Sequence, residues 1–499
     1  MNIFELMTRR LLMPMLVGMP LLAPYSLADV RVVRDTTIDT RGTTIAGDAP
    51  YGRAINGEAF QGQALTSLNG FQYAVYWVTD AVTAPAAHVA VARRKLPEGS
   101  WRVIDLAGSP FKNGVRKGTN EPFDAHNTCS IGICPKDGTI HIAYDHHNHP
   151  LRYRVTAPGA ATNPEATAWE EAVFRPERSN LVGSEPVPAV CYPFFERTPE
   201  DNLQLFVRRG GSGNGSWWVW NYDGSTHDWK SGWQYDDGLA GAYDQYAKPS
   251  PKRSSYPNAW TYGPDGKLHC AFVWRENGQS PGAVNHDISY IYSEDRGVTW
   301  KNNAGQVVGD KRQNLLVNLL SPGLAVVPTT AYESLMNTQG QAVDSAGRVH
   351  LLMYHLDSNK KTPMPPGRPW QLINSSYFHH WRDTDGTWHT AALPVLVGTR
   401  PQIVFDKADN AYAVFANGPT QGIYGNDRNL VVAIATAATK WSDWKIVATV
   451  PGPFHTEPLI DLARVRADGV LSVVMQESPK KDLEPTRLRV IDFAMSGAN

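Results

Sequence analysis

Cysteine is scarce in this chain, net charge is close to zero and helical periodicity is nearly absent. Four cysteines in 499 residues, Cys129, Cys134, Cys191 and Cys270, are too few to staple a fold of this length. One bridge would suit an oxidising compartment, but nothing in the spacing assigns it, and the thiols read as small buried hydrophobes. Lys and Arg number 47 against 48 Asp and Glu, a net charge of -1. No global field therefore draws the protein to nucleic acid or to an anionic membrane, and an anionic ligand has to be attracted by a local cluster. Ser/Gly-rich linkers and charge blocks are also missing, so a length that could hold two or three domains is read as one.

One apolar run stands apart. Leu11 to Pro24 follows Arg9-Arg10 and precedes Ser26-Leu27-Ala28, a small-x-small end that suits signal peptidase. The run is too short and too rich in proline to span a bilayer, so residues 1–28 read as a secretory signal peptide. The expected product is a secreted or periplasmic protein that begins near Asp29, with 29–499 as a single domain.

What the chain has is turns and aromatics: 42 Gly, 36 Pro, 16 Trp, 20 Tyr and 15 Phe. A tight-turn pair followed by an alternating apolar strand recurs at Asn69-Gly70, Asp137-Gly138, Asp201-Asn202, Asp265-Gly266, Ala346-Gly347, Asp409-Asn410 and Asp468-Gly469, with spacings of 68, 64, 64, 81, 63 and 59 residues. Asn-Gly and Asp-Gly between alternating hydrophobics are strong hairpin signals. Self-similarity at this period means sheets that bury their faces only against their neighbours. The reading is all-β: a seven-bladed β-propeller of four-stranded antiparallel sheets. Ser293-Glu294-Asp295-Arg296-Gly297-Val298-Thr299-Trp300 matches an Asp-box, a turn device that supports the fold and says little about chemistry.

Aligning the repeats on their turns locates a polar face. The strands leaving the turns end at His146 and His147, Arg208 and Arg209, Arg275, His355, Asn417, and Gln476-Glu477. The strands entering them begin at His126-Asn127, Tyr192, Tyr256 with Asn258, Asn337 with Gln339, Arg400, and His455 with Glu457. Antiparallel pairing puts both sets at one end of the propeller. A bland rim would show Lys and Glu, whereas this one supplies His, Tyr and Arg. Those groups suit proton removal beside a carboxylate: an Arg fork neutralises the acid, while His and Tyr move protons, Tyr as acid or, with its pKa lowered by Arg, as base. That chemistry is β-elimination from a uronic-acid polysaccharide.

The run Asp145-His146-His147-Asn148-His149 has ligand types for zinc, but in an extended strand only alternate members converge. No metal is assigned a catalytic role and no cofactor is required; a structural calcium or zinc ion elsewhere stays open. His286, in Asn285-His286-Asp287, opens a strand that pairs back towards Arg275 and is expected near the polar face.

With these residues in hand, the chain resembles the propeller-type ulvan lyases, secreted enzymes that cut a sulfated algal polysaccharide. The likeness rests on His126-Asn127-Thr128-Cys129-Ser130, His141 to Pro150, Tyr192 with Arg208, and Asn285 to Asp295. The resemblance implies endolytic cleavage next to glucuronic or iduronic acid, leaving an unsaturated uronate, with ulvan as partner and a monomer as the working form. Carried over, Arg208 neutralises the carboxylate and His126, His147 and Tyr192 share the proton transfers. Asn127, His146, Tyr256, Arg275 and His286 are expected to bind sugar or sulfate. A sialidase-like glycosidase would need a carboxylate pair or a Tyr-Glu nucleophile, and the face is poor in Asp and Glu. A non-catalytic carbohydrate-binding propeller would not need several His.

Overall fold

The computed structural model describes residues 30–49, 54–79, 86–245, 249–277, 284–360, 374–418 and 428–495. The expected signal peptide lies outside the described residues. Among those described, the fold is all-β, with one short α-helix, Leu462–Asp468, and a few 3-10 turns.

Strands that leave the turns are buried along nearly their whole length because neighbouring sheets cover both faces. Cys129–Ile133 and Ile140–Tyr144 are buried at every position. Outer strands such as Trp388–Ala392 and Lys445–Phe454 keep solvent on one side and carry exposed residues. The sheets stand around a central cavity of about 340 Å³, which takes Leu65, Ile131, Phe194, Ala259, Gln341 and Gln402 from successive inner strands. That arrangement is a β-propeller, with the core between the blades rather than on the axis. Phe206 and Trp260, for example, stack across adjacent sheets with ring centroids 4.4 Å apart at 10°.

The turns behave as the repeat predicts. Gly70, Gly138, Gly266 and Gly347 take φ of 72°, 69°, 77° and 78°, while Asp201 and Asp409 adopt left-handed φ of 62° and 58°, as short polar side chains can. The seventh is different. Asp468-Gly469 does not follow a strand; it closes the helix Leu462–Asp468, whose N-cap Asp461 accepts from the Arg464 N–H and whose C-cap Gly469 has φ 66°. The inner strand there shrinks to Leu459–Ile460, and the helix lines the central cavity.

The two ends of the chain close the ring. Arg31–Gly42 pairs antiparallel with Thr486–Ala494, from Arg31 opposite Ala494 to Gly42 opposite Thr486, and Gly42 also pairs with Val78 of Phe71–Thr79. One sheet thus runs Leu459–Ile460, Val470–Gln476, Thr486–Ala494, Arg31–Gly42, Phe71–Thr79, Ala87–Lys95, Arg102–Pro110, with Leu65–Leu68 on Phe71–Thr79. Only glycine fits at the junction: a Cβ on Gly42 would lie 2.4 Å from Leu488 Cδ1 and 2.7 Å from the Thr486 carbonyl. Closure leaves no long sheet edge at the seam.

The Asp-box forms as expected. Asp295 Oδ1 accepts from the Thr299 N–H at 2.7 Å, Ser293 Oγ accepts from the Gly297 N–H at 2.7 Å, and Trp300 is buried beneath. All four cysteines are buried and unpaired.

Candidate active site

Where Ile140–Tyr144 ends and Val190–Arg197 begins, the backbone breaks out of strand geometry. Asp145 takes φ 66° and ends the strand Ile140–Tyr144; Tyr192 takes φ 53° at a bulge in Val190–Arg197. A bulky aromatic residue at positive φ is a true outlier, costing on the order of 1–3 kcal/mol, and such strain concentrates at functional sites. Asp145 is fully buried and is held by the N–H groups of Lys112 and Asn113 at 3.0 Å, Asn127 Nδ2 at 2.9 Å and Arg152 Nη1 at 2.5 Å. Beyond this anchor the chain re-enters a sheet as His147–His149, which pairs with Val190–Arg197 so that His147 lies opposite Cys191, the neighbour of Tyr192.

The pairing brings His147 to His126. Their rings stack with centroids 4.2 Å apart at 24°, and one carboxylate serves both: Asp124 Oδ1 bonds His126 Nδ1 and Oδ2 bonds His147 Nδ1, each at 2.6 Å. Burial raises the Asp124 carboxyl, but the two imidazole bonds outweigh it and hold the group well below the usual carboxylate range. Burial also pushes His126 down, to about 4, against the opposing pull of Asp124. His126 is therefore neutral near pH 7.

Tyr192 faces the same pair, its ring 6.1 Å from His126 and 6.3 Å from His147. Arg208 lies beneath, fully buried, with Cζ 4.6 Å from the Tyr192 ring centroid and 5.1 Å from that of Tyr256. Its Nη1 donates to the Tyr256 hydroxyl at 2.5 Å, while Nε and Nη2 meet no hydrogen-bond partner among the described residues. Burial disfavours the guanidinium charge, yet the neighbouring Tyr256, Cys191 and Tyr192 raise its pKa. The two phenols part company. Burial lifts Tyr192 well above its ordinary value, with Arg208 only partly offsetting it; for Tyr256, Arg208 and Arg275 together overcome burial and lower the pKa. The tyrosine that an arginine lowers is thus Tyr256. Arg275 is partly exposed with Cζ 5.4 Å from the Tyr256 ring.

Three expected ligand contacts are not at the cleft surface. His146 is buried, its Nε2 accepts from the Arg152 N–H at 2.7 Å, and burial drives its pKa well down. Positive φ at Asp145 turns this side chain inward, away from His147. Asn127 is fully buried: its Nδ2 holds Asp145 and its carbonyl accepts from Trp77 Nε1 at 2.8 Å. His286 is enclosed between Glu276 and Asp287, each 3.0 Å away, under the Tyr243 ring at 3.7 Å. Those carboxylates raise its pKa against burial. All three side chains are buried, as are those of Arg208 and Tyr256.

Two contributors have no signal in the turn repeat. Asp124 precedes His126 by two residues, and its shared role needs His147 from another sheet. Phe60, in the 3-10 turn Ala59–Gln61, stacks on Tyr192 at 5.0 Å and lies tilted against His126 at 4.8 Å, and Arg400 Cζ lies 4.7 Å from its ring. Among the described residues, Asp124, His126 and His147 also form a group whose ligand atoms lie within 4.8 Å of one another. Both carboxylate oxygens are already engaged by imidazole nitrogens, so an ion there would displace those bonds.

A family model described as "BNR repeat-containing family member" matches residues 71–395. The long isoform of ulvan lyase from Pseudoalteromonas sp. (strain PLSV) is 25% identical over 254 residues, 44% of this chain and 24% of that protein. The short isoform from Alteromonas sp. (strain LOR) is 23% identical over 245 residues, 41% of this chain and 44% of that one. The matched part thus spans well under two thirds of each relative. Among solved structures, the polysaccharide lyase Uly1 superposes with a TM-score of 0.68 at 18% identity, covering 93% of this chain and 99% of that one. A PL25 ulvan lyase bound to -[GlcA(1-4)Rha3S]- gives 0.62 at 13% identity, with 93% and 96% covered. At such identities the superpositions establish the shared fold.

Proposed function

The chain belongs to the BNR repeat-containing family, and from that premise we propose that it is a polysaccharide lyase that cleaves ulvan by β-elimination beside a glucuronic or iduronic acid. One observation carries the reading. Nε and Nη2 of Arg208 share one edge of the guanidinium, buried and without a protein partner, and that edge is the one that grips a carboxylate through two parallel N–H bonds. A uronate carboxylate there neutralises the arginine and has its own charge neutralised as the carbanion develops.

The proton transfers follow from the neighbours. His126 or His147 takes the C5 proton; the electron pair forms the C4=C5 double bond; the C4–O bond breaks and its oxygen receives a proton from Tyr192. Burial keeps Tyr192 protonated, which suits the acid role, and His126, pushed down to about 4, is in its base form near neutral pH. Tyr256 orients Arg208 through the 2.5 Å bond, and Arg275 adds positive charge next to Tyr256. The likeness to proteins named ulvan lyases supports ulvan as the substrate.

The same reading takes the eight-stranded sheet as two blades fused at Gly42, which makes seven blades in all. It also takes residues 1–28 as a secretory signal, the working form as a monomer and the reaction as independent of a cofactor. Digestion of ulvan in heavy-oxygen water tests the chemistry. Elimination leaves the new non-reducing end unsaturated and incorporates no solvent oxygen, whereas incorporation of one solvent oxygen per cut would establish hydrolysis instead.

A further inference from the structure

His147 enters the cleft at an irregularity in the strand pairing. Val190 lies opposite His149 and Cys191 opposite His147, so one step along Val190–Arg197 is matched by two along His147–His149, and Asn148 is the extra residue. Asn148 takes φ 66°, a left-handed conformation found at such bulges. A bulge withdraws its extra residue from the ladder, and here a side chain supplies the missing bond: the Asn148 N–H donates to Cys191 Sγ at 3.0 Å. The thiol is fully buried, and it donates in turn to the Gly210 carbonyl at 3.6 Å. A thiol can do both, as a weak acceptor and a weak donor. Cys191 also lies opposite Arg208 on its other flank and precedes Tyr192 in the chain. One side chain thus ties the residue after His147 to the second residue after Arg208.

We propose that the Cys191 thiol, acting through the Asn148 bulge, is a positioning group of the cleft that sets the separation of His147 from Arg208. This rests on the lyase reading above. In that reading the proton to be removed and the carboxylate to be neutralised are borne by the same uronate carbon. An imidazole and a guanidinium must then be held at one spacing, and an error of about 1 Å costs up to about 100-fold in rate. Arg208 is fastened from its other side by Tyr256. His147 arrives on a strand of three residues bulged at its centre. Asp124 orients its ring, and the thiol ties down the backbone that carries it.

The contrasting role is a small buried residue that only fills space, and two substitutions rank oppositely under the two roles. For a space-filling thiol Cys191→Ala is the milder change, since Cys191→Ser brings an unneeded hydroxyl into a buried place. For a positioning thiol Cys191→Ser is the milder, since its hydroxyl can accept from Asn148 and donate to Gly210. With ulvan, Cys191→Ala is expected to lower kcat about 10-fold, with KM within a few-fold because Arg208 keeps its bond to Tyr256. Cys191→Ser should recover most of that loss. Asn148, whose side chain is exposed, gives a second pair away from the core. Glycine accepts positive φ freely and valine does not, so Asn148→Val should lose several-fold in kcat and Asn148→Gly should stay well above it.

Native kcat in Cys191→Ala, or Cys191→Ser no better than Cys191→Ala, overturns the proposal. Should neither Cys191 variant fold, as judged by calorimetry, the Asn148 pair decides, and equal kcat in Asn148→Gly and Asn148→Val overturns it. The ring signal of His147 in histidine-labelled protein, identified with His147→Gln, separates the proposal from the lyase reading. It should shift in Cys191→Ala and return in Cys191→Ser whatever the substrate. Native protein that makes no unsaturated product from ulvan but shows this pattern refutes the lyase reading and retains the positioning. An unmoved His147 signal in Cys191→Ala refutes the positioning itself.

Discussion

Arg208 donates through Nη1 to the hydroxyl of Tyr256 at 2.5 Å and leaves the opposite edge of its guanidinium unpartnered. A fully buried cation with half its donors unspent is costly to keep in a folded protein. Its retention makes sense when a ligand carboxylate completes it. Arg208→Met is therefore expected to lower kcat/KM at least about 100-fold without lowering the thermal unfolding midpoint. Arg208→Lys fails nearly as badly, because a point charge cannot replace the two-pronged edge. A calorimetric scan beside the rate assay checks both; a large fall in the midpoint would assign Arg208 a structural role.

Tyr192 and Tyr256 face the same arginine and are expected to fail differently. Tyr192→Phe keeps the ring under Phe60 and over Arg208 but removes the proton donor, so kcat falls about 100-fold or more with little change in KM. Tyr256→Phe removes the hydroxyl that orients Arg208, so KM rises and kcat falls less. Steady-state kinetics on the two variants separates the roles; equal effects on both parameters would contradict the assignment.

Phe60 packs against Tyr192, His126 and Arg400 while remaining partly exposed. Phe60→Ala is expected to lower kcat about 10-fold by loosening the two catalytic rings, with little loss of stability. Activity at the native level in a folded variant would remove Phe60 from the site.

The predicted dependence of stability on pH concerns His141, buried with Nδ1 at the Tyr153 hydroxyl and Nε2 2.7 Å from Thr139 Oγ1. Burial pushes its pKa from 6.5 to about 3. Between those values the unfolded imidazole binds a proton and the native one does not, so acidification favours unfolding by up to about 1.4 kcal/mol per pH unit. The effect is absent above pH 6.5 and stops growing below about 3. Urea unfolding of native protein and His141→Gln at about pH 7 and about pH 4 tests it: the stability advantage of the native protein should shrink at the lower pH. A constant difference would contradict the assignment.

Much of the fold was legible because the repeat is local. A turn pair with left-handed φ at Gly70 or Asp409 is written in two residues. The helix ending at Gly469 escaped because Asp468-Gly469 serves equally as a hairpin turn and as a helix stop, and the choice is made by Asp461, seven residues earlier. At the site, His126, His147, Tyr192 and Arg208 were legible because each lies at the far end of a strand that enters or leaves a turn. Asp124 was not, since its function depends on His147 arriving through pairing with the next sheet, and Phe60 lies on a 3-10 turn outside the repeat. The burial of His146 and His286 is not legible from their places at strand ends. Positive φ at Asp145 and the enclosing pair Glu276 and Asp287 bury them.

The central claim is elimination at the Arg208 site, and the most direct test is ultraviolet absorbance during incubation of purified protein with ulvan. The account predicts rising absorbance from a conjugated C4=C5 uronate, in step with new reducing ends, and loss of that rise in Tyr192→Phe and Arg208→Met. New reducing ends without absorbance, or absorbance that persists in both variants, would contradict it.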